Sequence, residues 1–161
     1  MQPGRISHMI VGLKQTVPQR ISEWLVSAIL ATWGLVVFFI NDATWAADVY
    51  SGLARIGDHR IWGAAALVIG CAKLIALFIN GAMRRSPHAR ACGSFLAMFI
   101  WLQLSAAALF ADALTVGLAV YPWLFLIEFY NLHRAARDAG LSDFVFRSTR
   151  EARKDAELAQ P

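Results

Sequence analysis

The chain has 161 residues, of which 58% are hydrophobic and only 16% charged, and its formal net charge is +4. Soluble domains carry about 25% charged residues, because charged side chains hold a surface in water. The deficit, with uncharged blocks close to the ~20 residues that cross a bilayer, excludes an ordinary soluble domain and predicts an all-α, polytopic membrane protein.

In residues 1–20, Ile6, Met9, Ile10 and Leu13 recur at helical spacing opposite Arg5, His8 and Lys14. That pattern predicts a short amphipathic helix lying on the membrane surface. Its apolar core is too short for a cleavable signal peptide. Four spans follow, near 21–40, 61–80, 91–110 and 113–132, each long enough for a hydrocarbon layer of about 30 Å at about 1.5 Å per residue. Aromatic and aliphatic residues mix in them without strict alternation, so they read as helices, which satisfy their own backbone, and not as barrel strands.

The first link, 41–60, holds Asp42, Trp45, Asp48, Tyr50, Arg55 and Asp58 and reads as a partly helical interfacial segment. The second, 81–90, has Gly81 and Pro87 as breakers. Only Ala111, Asp112 and Ala113 separate the last two spans, which predicts a tight hairpin, with a kinked continuous helix as the alternative. Beyond residue 133, Gly140 is expected to end the last span's extension and Ser142 to cap a new helix carrying an Arg147–Glu151 pair. The expected organisation is thus a cytoplasmic amphipathic segment (1–20), a four-helix transmembrane domain (21–133) and a cytoplasmic charged tail (134–161).

Charge sets the orientation, since Lys and Arg stay on the cytoplasmic side. Arg5, Lys14 and Arg20 precede the first span, Arg84, Arg85 and Arg90 lie between the second and third, and Arg134 to Lys154 follow the fourth. All fall on one side if both termini are cytoplasmic, as in a multi-pass protein of a bacterial inner membrane. The basic balance then reflects topology and attraction to anionic headgroups, without nucleic-acid binding. Arg84, Arg85 and Arg90 form the expected lipid-facing basic loop.

Two charges fall within spans. Lys73 and Glu128 lie at similar depth, roughly 10 Å below the cytoplasmic interface, on helices running the same way. Such residues face the bundle, pair or line water. A Lys73–Glu128 pair controlling a polar path is the functional reading, and snorkelling of each side chain to the headgroups is the bland one. Gly63, Ala66 and Gly70 share the Lys73 face and predict close helix packing, within the chain or between subunits. Trp24, Trp45 and Trp62 read as interfacial anchors, and Trp33, Trp101 and Trp123 as deeper packing residues. His8, His59, His88 and His133 lie at span ends or in loops, and Cys71 and Cys92 have no metal spacing. No cofactor, metal or catalytic motif is expected, and the chain does not read as an enzyme.

The segment Asn80-Gly-Ala-Met-Arg-Arg-Ser-Pro-His-Ala-Arg-Ala-Cys-Gly, the following span with Trp101 and Gln103, and the helix end Glu128-Phe-Tyr-Asn-Leu-His-Arg-Ala-Ala-Arg-Asp resemble stretches of small phage-encoded integral membrane proteins of unassigned role. The resemblance implies a viral or prophage origin and an inner-membrane location, and carries no catalytic residue across. Three functions stay open: a self-associating, holin-like or pore-forming homo-oligomer; a membrane-anchored interaction or assembly protein that binds host or viral partners through its C-terminal tail; and a small transporter subunit.

Overall fold

The computed structural model describes residues 20–82, 87–111 and 113–158, and every regular element among them is helical. α1 (Ile21–Phe39) leads through α2 (Asp42–Trp45), a 3-10 turn (Asp48–Tyr50) and α3 (Ser51–Ala54) to α4 (His59–Ala82), α5 (Pro87–Leu109) and α6 (Val116–Leu158). The expected amphipathic helix before residue 20, and Arg84 and Arg85, lie outside the described residues. Three helices, α1, α4 over His59–Asn80, and α5, are long and apolar enough to cross a membrane. The start of α6 is diluted by Tyr121, Pro122, Glu128, Asn131 and His133 and does not join them on those grounds alone.

The long helices form two pairs, α1 with α4 and α5 with α6. In the first pair the backbones touch. A Cβ placed on Gly34 would stand 2.3 Å from Leu67 N, one on Gly63 2.4 Å from Phe38 N, and one on Gly70 2.6 Å from Ala31 N. Gly63, Ala66 and Gly70 therefore serve as the small-residue face that the sequence suggests, and its occupant is α1 of the same chain. Lipid tails are as apolar as leucine, so such close van der Waals contact is what holds helices together there.

The second pair closes on aromatic residues. Trp101 is fully buried and stacks on Tyr121 with ring centroids 5.9 Å apart, and Trp33 of α1 tilts against the Trp101 ring at 6.5 Å. Trp123, expected to pack, is instead 67% exposed on the outer face of α6. The 41–58 link folds back as the expected partly helical segment. Trp45 stacks on Tyr50 at 5.4 Å, and Gly52 sits so close to α5 that a Cβ would lie 2.2 Å from the Ala107 carbonyl oxygen. Asn41 starts this segment by accepting the Thr44 N–H at 2.8 Å. His59, the first residue of α4, is buried with Nδ1 3.2 Å from the Val37 carbonyl and Nε2 3.1 Å from Asp42 Oδ1, joining the end of α1 to the link.

One expected break is missing: α6 runs through Gly140 and Ser142 without interruption. A capping glycine needs the left-handed conformation, and no described glycine has positive φ. A mid-helix glycine costs only about 1 kcal/mol. The turns on either side are held, Asp138 by Arg90 at 2.9 Å and Asp143 by His88 at 3.2 Å.

The glycine contacts make a direct prediction. Gly63→Leu should force α4 away from Phe38 and destabilise the bundle by ~1–3 kcal/mol or more, as overpacking does. Unfolding in a graded mixture of denaturing and mild detergent measures this, and Ala64→Leu, at a half-buried neighbour on the same helix, should cost much less.

Candidate functional site

The four long helices place their buried residues at helical spacing. On α4 these are Gly63, Ala66, Gly70, Lys73, Leu77 and Asn80; on α6 they are Leu124, Glu128, Asn131, Ala135 and Ala139. Toward one end of the bundle, the end where α1 and α5 begin and α4 finishes, each helix replaces small or apolar residues on that face with polar ones. Glu23 and Ser27 come from α1, Lys73 and Asn80 from α4, Arg90 and Ser94 from α5, and Glu128 and Asn131 from α6, all buried.

Lys73 Nζ donates to Glu128 Oε1, joining α4 to α6 across the seam between the two pairs. Lys73 is 5% exposed and Glu128 fully buried, so neither snorkels to the surface. Gly93 makes room for the lysine stem: a Cβ there would stand 2.8 Å from Lys73 Cγ. Ser94 and Asn131 face the same carboxylate. Glu128 Oε2 and Asn131 Nδ2 are enclosed without a hydrogen-bond partner at good geometry. Asn131 Oδ1 accepts from Ser22 Oγ of α1 at 2.9 Å, a second tie across the seam.

Arg90 is the third. Its Nε donates to Glu23 Oε2 at 2.9 Å, Nη2 to Glu23 Oε1 at 2.5 Å, and Nη1 to Asp138 Oδ2 at 2.9 Å. The guanidinium fork thus holds the Glu23 carboxylate bidentately and reaches a second helix with its remaining arm, the geometry for which arginine is preorganised. This corrects the expectation for Arg90, which is 4% exposed and does not face lipid. Pro87 opens α5, as proline does at a helix start, so Arg90 lies inside the first turn and not in a loop.

Sequence reasoning singled out Lys73 and Glu128 by depth, placed Arg90 in a lipid-facing loop, and passed over Glu23, Asn131 and Asp138. The available signal was register: Glu23, Ser27, Leu30, Gly34 and Val37 follow one face of α1, and Arg90, Ser94, Ala97, Trp101 and Leu104 one face of α5.

What this arrangement does chemically is hold. Among the described residues no group of three His, Cys, Asp or Glu could bind a metal ion. A cavity of about 350 Å³ lies toward the opposite end, lined by Tyr50, Leu53, Leu104, Ala107, Thr115 and Tyr121 among others, with no charged side chain among the described residues of its wall.

Removing one partner of a buried ion pair strands the other, at a cost of ~3–5 kcal/mol, whereas replacing both by apolar residues is close to neutral. Glu128→Leu should therefore destabilise the bundle strongly, and Lys73→Met with Glu128→Leu should recover most of the loss in the same detergent unfolding measurement. Additive losses would show that the two side chains do not depend on each other.

Comparison with protein-family models, with curated proteins and with solved structures finds no match to this chain.

Proposed function

We propose that the chain is a non-enzymatic membrane anchor that presents the C-terminal part of α6 to a protein partner. The observation that carries this reading is the exposure of α6 beyond the bundle. Every residue from 140 to 152 is exposed, and the run includes Leu141, Phe144, Val145 and Phe146, with Phe144 69% exposed. Leu141, Phe144 and Val145, with Ser148 and Ala152, follow one helical stripe, while Arg147 and Arg150 lie on other faces. Soluble surfaces rarely leave large apolar side chains clustered this way without a use. The matching partner is an amphipathic segment, apolar toward the stripe and acidic toward the arginines.

In this proposal the chain crosses a bacterial inner membrane four times with both termini cytoplasmic, as the distribution of Lys and Arg supports. A viral or prophage origin belongs to the same proposal through the resemblance of the 80–93 segment. The holin-like reading required a surface for self-association, and the small-residue face that suggested one is filled by α1. The transporter reading required water at Glu128, whose side chain is enclosed and paired with Lys73.

Deletion of 141–161 should leave membrane insertion intact, as read by carbonate resistance, and abolish co-purification of the partner retained by the full chain. Phe144→Asp should weaken capture without affecting insertion. Induced expression should leave the membrane potential unchanged in a potential-sensitive dye assay. Collapse of the potential at a defined time would overturn the anchor reading in favour of a permeabilising one.

A further inference from the structure

The polar end of the bundle contains more positive charge than its own acids can neutralise. Glu23 spends both carboxylate oxygens on Arg90, and Asp138 gives one to the same guanidinium. Two further guanidiniums stand beside this cluster. Arg20, half-buried just before α1, has its Nη1 without a hydrogen-bond partner. Arg134, half-buried one turn before Asp138 on α6, forms no ion pair among the described residues. Burial, and next the charge of Arg90, pull the Arg20 pKa below its ordinary value; Glu23 and Asp138 oppose this, and Arg134 adds to it. Ser22 Oγ, two residues after Arg20, donates to Asn131 Oδ1, one turn before Arg134, at 2.9 Å, so the two arginines flank one α1–α6 contact, in which three cations face two carboxylates.

Among the described residues no further carboxylate pairs with Arg20 or Arg134. Residues 1–19 and 83–86, which adjoin this end in sequence, contain no Asp or Glu. Asp143 is engaged with His88 at 3.2 Å. Glu151, the next acid on α6, lies thirteen residues past Asp138, about 20 Å along a continuous helix. Uncompensated, partly desolvated guanidiniums are costly, and the anion that best fits two adjacent forks is a phosphate, whose oxygens accept bidentate pairs from each.

We propose that Arg20 and Arg134 together form a binding site for one phosphate group. The same chemistry is offered by the headgroup of an anionic phospholipid or by free phosphate. The lipid source rests on the membrane placement proposed above; the phosphate site itself does not. The Glu23–Arg90–Asp138 bridge and the Ser22–Asn131 bond hold α1 and α6 so that both arginines flank one contact, and occupancy then adds a further tie between α1 and α6.

Native mass spectrometry of the full chain in mild detergent tests this, with phosphatidylglycerol, phosphatidylcholine and inorganic phosphate added separately at equal concentration. The expected result is retention of one phosphatidylglycerol, with phosphatidylcholine held less well because its choline offsets the phosphate charge. Arg20→Gln and Arg134→Gln should each weaken retention about tenfold, the loss of one charge-assisted contact. Arg137→Gln, at an exposed position on the same helix, should leave it unchanged. Binding of inorganic phosphate with the same dependence on Arg20 and Arg134 would keep the site and assign it to a free anion. Equal loss in the Arg137 variant, or no retention of either phosphate source, would overturn the site. Should Arg20→Gln fail to fold, Arg134→Gln carries the test alone, since its α6 turn remains anchored by Asp138. Carbonate resistance of the same variants reports separately on the membrane reading.

Discussion

The structure depends on the Arg90 guanidinium. It lies in the first turn of α5, holds Glu23 of α1 through two bonds and Asp138 of α6 through a third, and so joins three of the four long helices at a single planar group. Without it, the polar side-chain ties between the α1–α4 pair and the α5–α6 pair at this end would be, among the described residues, Lys73–Glu128 and Ser22–Asn131. A lysine could not replace it, because an ammonium is a point donor and cannot grip one carboxylate bidentately while reaching another. The bundle is therefore built in two stages of different chemistry. Contact between small residues and stacking of aromatic ones make the pairs, and buried charge joins them.

That division follows from the solvent. In water, two apolar helix faces would associate to escape it; in hydrocarbon they gain little by leaving lipid, and what remains is close packing and polar pairing. The α1–α4 contact uses the first resource to its limit, with glycine at the positions where backbones meet. Across the seam the second resource takes over. The charges also set the relative register of the two pairs, because sliding one pair by a turn would leave Glu23, Lys73 or Glu128 without its partner in a medium where an unpaired charge costs several kcal/mol.

Much of this was legible in the sequence, for reasons that show where legibility stops. The three apolar helices follow from length and hydropathy, which depend only on local composition. Lys73 and Glu128 stand out because a charge within an apolar block violates the composition around it. Arg90 and Glu23 do not, since each lies at the end of its block, where a charge is ordinary and positive-inside counting assigns it to the surface. Register puts both on the stripes that turn inward, but the partners that let a charge stay buried there lie on other helices and are not encoded locally. The continuity of α6 through Gly140 was hidden for a similar reason. Glycine is a local stop signal, but the bonds of Asp138 to Arg90 and Asp143 to His88 that hold the turns on either side are tertiary.

The continuous α6 also links the interior to the exposed arm. Glu128 and Asn131 lie inside the bundle, Asp138 at its rim, and Leu141 to Val145 beyond it, all on one uninterrupted helix. A force acting on the arm bears first on the Asp143–His88 contact, exposed on both sides, then on Asp138–Arg90, exposed on the acid side alone, and last on the enclosed Lys73–Glu128 pair. The contacts along α6 therefore pass from exposed to enclosed as the helix enters the bundle. Exposed ion pairs are individually worth about 1 kcal/mol or less, so the Asp143–His88 contact yields first, and the buried Arg90 and Lys73 ties hold the bundle closed. The proposed anchor role calls for that gradient: outer turns of the arm free to adapt, on a base whose charges stay paired inside the bundle.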